Sequence, residues 1–185
     1  VIDTAATIGC PPDGPVSYGF GYPVVISALL PSQDRLLAAI SGQLNDAAAL
    51  SRLARELGDL HASLIPYTVD PDFREGFDPY MVYVEIAECE TAINSWAALH
   101  LPRNPIARRH TQSLGELVSQ IARIYAQACW TMRHTDDKQT EHEAWFHVAE
   151  VIDGYAELVD QVVGGRVQLP LGWRGLYGAA PRAAA

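Results

Sequence analysis

The densest run of side chains able to do chemistry is Thr140-Glu141-His142-Glu143-Ala144-Trp145-Phe146-His147. On a helix Glu143 and His147 stand one turn apart, a spacing that lets a carboxylate and an imidazole reach one metal ion. His61, in a separate helical stretch, is the third ligand such a centre would take. A second constellation is Arg103 and His110. A guanidinium can steady a phosphate while an imidazole moves a proton. Two acidic pairs, Glu85/Glu88 and Glu150/Asp153, each place carboxylates a turn apart, as a divalent cation requires. No Gly-x-Ser-x-Gly elbow, phosphate loop or dinucleotide fingerprint occurs; Gly14, Gly19 and Gly21 fall off phosphate-loop spacing. Carboxylate-bridged di-iron bundles need Glu-x-x-His on two helices, and that motif is absent.

A Glu and a His one turn apart, with a His from a second helix, resemble the DinB-like metal-dependent bundles. The resemblance implies a metal-dependent enzyme with His61, Glu143 and His147 as ligands. Arg103 and His110 resemble the loose Arg-x(4–6)-His pattern of the HEPN-type helical ribonucleases, implying RNA cleavage by that pair. Arg55 and His61 fit the same pattern. The acidic pairs resemble those of the magnesium-binding all-α nucleotide pyrophosphohydrolases, whose signature has a denser first cluster and a much shorter gap. Helical phase weighs against the metal centre. At ~100° per residue, Glu143 lies about 170° and His147 about 130° from the middle of their helix's apolar seam, and both should face solvent. Glu150 also points off the seam, while His61 flanks its own. No cofactor is expected, and the enzymatic readings stand as alternatives to a non-enzymatic one.

Four helical stretches must position these residues. Ser32 is a good N-cap, and Leu36, Leu37, Ile40 and Leu44 follow at helical spacing. Leu50, Leu53, Leu57, Leu60 and Leu64 continue the three-four alternation, either through Asn45-Asp46 or from a fresh start there, and Pro66 is expected to stop it. Asp78-Pro79 caps a helix seamed by Val82, Ile86, Cys89, Ile93 and Trp96 that ends before Pro102. Asn104-Pro105 is expected to open the next, seamed by Leu114, Leu117, Ile121, Ile124 and Ala128. After a break near Thr135-Asp136 comes a helix seamed by Trp145, Val148, Ile152, Tyr155, Val159 and Val162, closed by Gly164-Gly165. The fold class is therefore all-α: an antiparallel bundle of four to five long helices over 32–165. An irregular N-terminal arm (1–31) and an irregular C-terminal tail (166–185) flank it.

The 185 residues suit one domain, and 49% of them are hydrophobic, enough for a core without staples. The longest apolar run, 22–30, is half a membrane span and contains Pro23. A net charge of −9 repels phosphate backbones, so nucleic acid is not expected as a partner, and without a span-length apolar run neither is a membrane. Of thirteen basic residues only Lys138 is a lysine, and an arginine surface favours bidentate pairing across interfaces. Cys10, Cys89 and Cys129 fit no metal knuckle and read as free thiols in a cytoplasmic protein. The chain starts at Val1, so a removed leader stays open. Tyr18, Phe20, Tyr22, Trp173 and Tyr177 would be wasted in solvated arms and are the candidate interaction residues. The expectation is a protein acting by protein–protein interaction or assembly, as a homo-oligomer or a subunit of a complex.

Overall fold

The computed structural model describes residues 30–44, 47–70, 76–101 and 103–170. Of the described residues 74% are helical, in five helices with almost no strand, an all-α bundle as the seams require. The elements are α1 (Gln33–Ile40), α2 (Ala49–Val69), α3 (Pro79–His100), β1 (Arg108–Arg109), α4 (Leu114–His134), α5 (Lys138–Val163) and β2 (Val167–Gln168).

Local chemistry explains most of the boundaries. Ser32 caps α1 by accepting a hydrogen bond from the Arg35 amide, and Asp78 caps α3 by accepting from that of Tyr80. Two helices end in the same Schellman geometry. After α1, the amides of Gly42 and Gln43 reach back to the carbonyls of Ala39 and Ala38; after α5, those of Gly165 and Arg166 reach Val162 and Gln161. Gly42 and Gly165 carry the positive φ (74° and 66°) that this turn demands.

Of the two alternatives for 33–65 the structure takes two helices, α1 ending at Ile40 and α2 starting at Ala49. Two other boundaries correct the expectations. Pro66 does not stop α2, which runs on to Val69. A proline so near the C-terminus forfeits one hydrogen bond, and the last turn is held by Thr68 Oγ1 donating to Leu64 O and by the Asp70 amide on Pro66 O. Tyr67 then packs on Phe77, ring centroids 5.8 Å apart, across the α2–α3 connection. Asn104-Pro105 does not open α4. Asn104 is engaged elsewhere: its Oδ1 accepts from the Ile106 amide and its Nδ2 donates to Gly165 O. The helix starts ten residues later, where Ser113 and Glu116 form a reciprocal capping box.

The tail is also less irregular than expected at its start. β2 pairs in parallel with β1, Arg108 opposite Val167 and Arg109 opposite Gln168, and the His110 amide extends the ladder to Gln168 O.

α4 is the central helix, packing against α2, α3 and α5, while short α1 lies across α2 and α5. Leu57, Ile93, Val118 and Ile121 are fully buried at the centre. Tyr155 is almost as deep, its hydroxyl donating to Pro31 O at 2.8 Å. Burial raises that phenol well above its ordinary pKa, so it remains a donor.

Candidate functional site

His61 comes from the flank of the α2 seam and is buried against α4, its Nε2 2.9 Å from Ser119 Oγ, itself buried. Burial, with the Arg123 guanidinium adding to it, pushes the imidazole from its ordinary 6.5 down to about 4. It is neutral at pH 7. The linkage follows directly. The unfolded chain takes up the His61 proton near pH 6.5 and the folded chain only near pH 4, so stability is lost as pH falls through that window. Each pH unit there costs about 1.4 kcal/mol. Between pH 7 and pH 5 the wild type should lose on the order of 2 kcal/mol more than a His61→Gln variant, by urea denaturation. Parallel pH profiles for the two proteins would show that His61 does not titrate this way.

Glu143 and His147 sit on the outer face of α5, both exposed, as their phase indicated. Glu143 accepts from Gln139 Nε2 at 2.7 Å, and His147 Nδ1 lies 3.2 Å from Glu150 Oε2. With His142 and Phe146 they line an open stretch of helix surface to which His61 does not contribute. Among the described residues no group of three or more His, Cys, Asp or Glu is placed to hold a metal ion.

Arg103 and His110 both lie on the connection between α3 and α4, ahead of the helix start that a HEPN-like pair would occupy. Arg103 is exposed and lines a cavity of about 20 Å³, water-sized, under the end of α3 with Ala97, Ala98, Leu101 and Val162. His110 is half-buried, and its Nδ1 receives the Gln112 amide.

Glu85, Glu88, Glu150 and Asp153 are solvent-exposed. Glu85 and Glu88 act on Cys89: burial, then the carboxylate of Glu56, then Glu88 and Glu85, push that thiol up to about 11. A buried, protonated thiol is no nucleophile, as its seam position implied. Cys129 is a free, half-buried thiol on α4.

The candidate interaction residues Tyr18, Phe20, Tyr22, Trp173 and Tyr177 lie outside the described residues. Within the tail, Leu169 packs against the core and Pro170 lines the cavity beside Ala98.

Two surfaces escaped the sequence reading. The first is the outer side of α3. The other long helices concentrate apolar residues on one face, whereas α3 carries them all round and buries only the side bearing Ile86, Cys89, Ile93 and Ala97. Tyr80, Met81 and Tyr83 are left exposed, Tyr80 by 70%. The signal was there in the unbroken run Tyr80-Met81-Val82-Tyr83-Val84. The second is a concentration of arginine around the β1–β2 pair. No protein-family model, curated protein or solved structure matches the chain.

Proposed function

We propose that this protein is a non-enzymatic interaction module that assembles by docking protein on the outer face of α3, and that the partner there is a second copy of the chain. The carrying observation is the exposure of Tyr80, Met81 and Tyr83 on α3, beside the exposed carboxylates Glu85 and Glu88. Single exposed hydrophobics need no explanation, but a contiguous aromatic and thioether cluster is what interface cores are made of.

The rest of the face supports close approach. Ala87, Thr91, Ala92 and Ser95 continue it with small side chains. The Thr91 and Ser95 hydroxyls are turned back onto the carbonyls of Ala87 and Thr91, which leaves Glu88 as the charged group on this face. A helix of this length is about 33 Å long and about 10–12 Å across, so its outer face offers roughly 350 Å², under half of the ~800 Å² per partner of a stable complex, and neighbouring surface must supply the rest.

The enzymatic alternatives, a DinB-like metal enzyme and a HEPN-like ribonuclease, draw no comparable support. His61 is engaged with Ser119 away from Glu143 and His147, and Arg103 and His110 precede their helix.

Light scattering on the full chain at micromolar concentration should give the mass of a dimer or larger assembly. A Tyr80→Glu/Tyr83→Glu variant should give a monomer with unchanged helicity, because both side chains are exposed in the single copy. A monomeric wild type, or an assembly indifferent to both substitutions, overturns the reading.

A further inference from the structure

Net charge conceals a segregation. Residues 101–113 and 164–185 hold six of the thirteen basic residues (Arg103, Arg108, Arg109, Arg166, Arg174 and Arg182) and not one Asp or Glu. Seven basic residues are left against all 22 acidic ones, so these two segments carry +6 and the remainder of the chain −15.

The fold brings the described parts of the two segments together at the end of the bundle where α3 and α5 finish and α4 begins. Parallel pairing sets Arg108 and Arg109 opposite Val167 and Gln168, Asn104 Nδ2 ties its turn to Gly165 O, and Arg103 borders the same cavity as Gln168. Arg103, Arg108, Arg109 and Arg166 are all exposed, and none is ion-paired among the described residues. Glu116, close in sequence, is already committed to the Ser113 amide and hydroxyl.

The same pole displays the two most exposed large hydrophobic side chains of the described residues, Ile106 at 92% and Leu99 at 82%. Ile106 is not on a frayed end. Asn104 Oδ1 accepts its amide and Asn104 O accepts that of Ala107, so a defined turn holds it out between Arg103 and the Arg108-Arg109 pair.

We propose that this pole docks the protein peripherally on an anionic lipid surface, its arginines on the lipid phosphates and Ile106 and Leu99 entering the interface. Arginine attracts any polyanion, so the choice rests on the apolar tip. A phosphodiester backbone gains nothing from an isoleucine standing clear of the protein, whereas the headgroup–acyl boundary takes up apolar side chains rimmed by cations. The −15 remainder turns the pole toward a negative surface and the rest of the molecule away from it. No helix of the described residues is long and apolar enough to cross a membrane, so the contact is a docking and not an insertion.

Vesicle co-sedimentation of the full chain tests this. The protein should bind phosphatidylcholine vesicles containing about 30 mol% phosphatidylglycerol, should ignore pure phosphatidylcholine, and should be released as salt rises from about 0.1 to 0.5 M. Arg108→Glu/Arg109→Glu should lower the partition coefficient at least about tenfold, and charge-neutral Ile106→Ser by several-fold. Circular dichroism checks that both variants keep their fold, and the salt series needs no variant. No sedimentation with anionic vesicles, or equal sedimentation with neutral ones, overturns the proposal. So does binding to a DNA or RNA duplex that Ile106→Ser leaves intact while vesicles are ignored. Because the outer face of α3 is untouched by these substitutions, a result against lipid docking leaves the assembly reading to be judged by the solution mass alone.

Discussion

Replacing Gly115 with alanine should destabilise the protein by about 3–5 kcal/mol, while the same replacement at Gly154 should stabilise it by about 0.5–1 kcal/mol. Both are helical glycines, and intrinsic propensity favours alanine at each. The surroundings reverse the sign at one of them. A Cβ on Gly115 would collide with the backbone of Glu90 on α3, at its carbonyl oxygen, carbonyl carbon and Cα. Backbone cannot rotate aside as a flexible side chain can, so α3 and α4 must separate. That separation also stretches the 2.8 Å bond from the Gly115 amide to Asn94 Oδ1, leaving a buried carboxamide unsatisfied. At Gly154 nothing lies within 4 Å of the added carbon, and the position is exposed. Gly58 should fall between them. Its Cβ would lie 2.5 Å from Ile40 O, but Ile40 ends an eight-residue helix that has more room to shift. Urea denaturation of the three alanine variants checks the order. A Gly115→Ala protein as stable as wild type would mean that α3 and α4 do not meet there.

Ile121→Ala and Leu57→Ala should each cost about 2–5 kcal/mol, with the denaturant slope unchanged. Both side chains are fully buried. Ile121 is on α4, the central helix, which packs against α2, α3 and α5 and has little room to shift into a cavity. Leu57 neighbours Gly58, the point where α1 crosses, and short α1 can partly follow the loss. Ile121→Ala should therefore sit toward the upper end of the range. Near-neutral values at both positions would mean that the seams face outward.

The helices, their apolar faces and most of their caps were legible because each depends on residues within one or two turns. Leu57, Ile121 and Val148 announce the buried side by their spacing alone, and the same spacing sent Glu143 and His147 to solvent. Gly164-Gly165 was read as a helix end. Ser41-Gly42 carries the same chemistry, yet the run of leucines on either side masked it. The Ser113-x-x-Glu116 box was present too, but Asn104-Pro105 offered a competing start. What chose between them was Asn104 bonding to Gly165, sixty-one residues away.

That is the dividing line for this protein. Periodicity and capping are local and survive in a one-dimensional reading. Whether a helical glycine is a hinge of packing or an idle position depends on which backbone passes beside it, as Gly115 and Gly154 show. His61 reads as a possible ligand along the chain and becomes a neutral, buried partner of Ser119 only once α2 meets α4. Charge is the sharpest case. Its sum is fixed by composition, and −9 argued against a nucleic-acid partner, but a potential depends on distances. Only the pairing of residues 108–109 with 167–168 sets Arg103, Arg108, Arg109 and Arg166 at one end of the bundle.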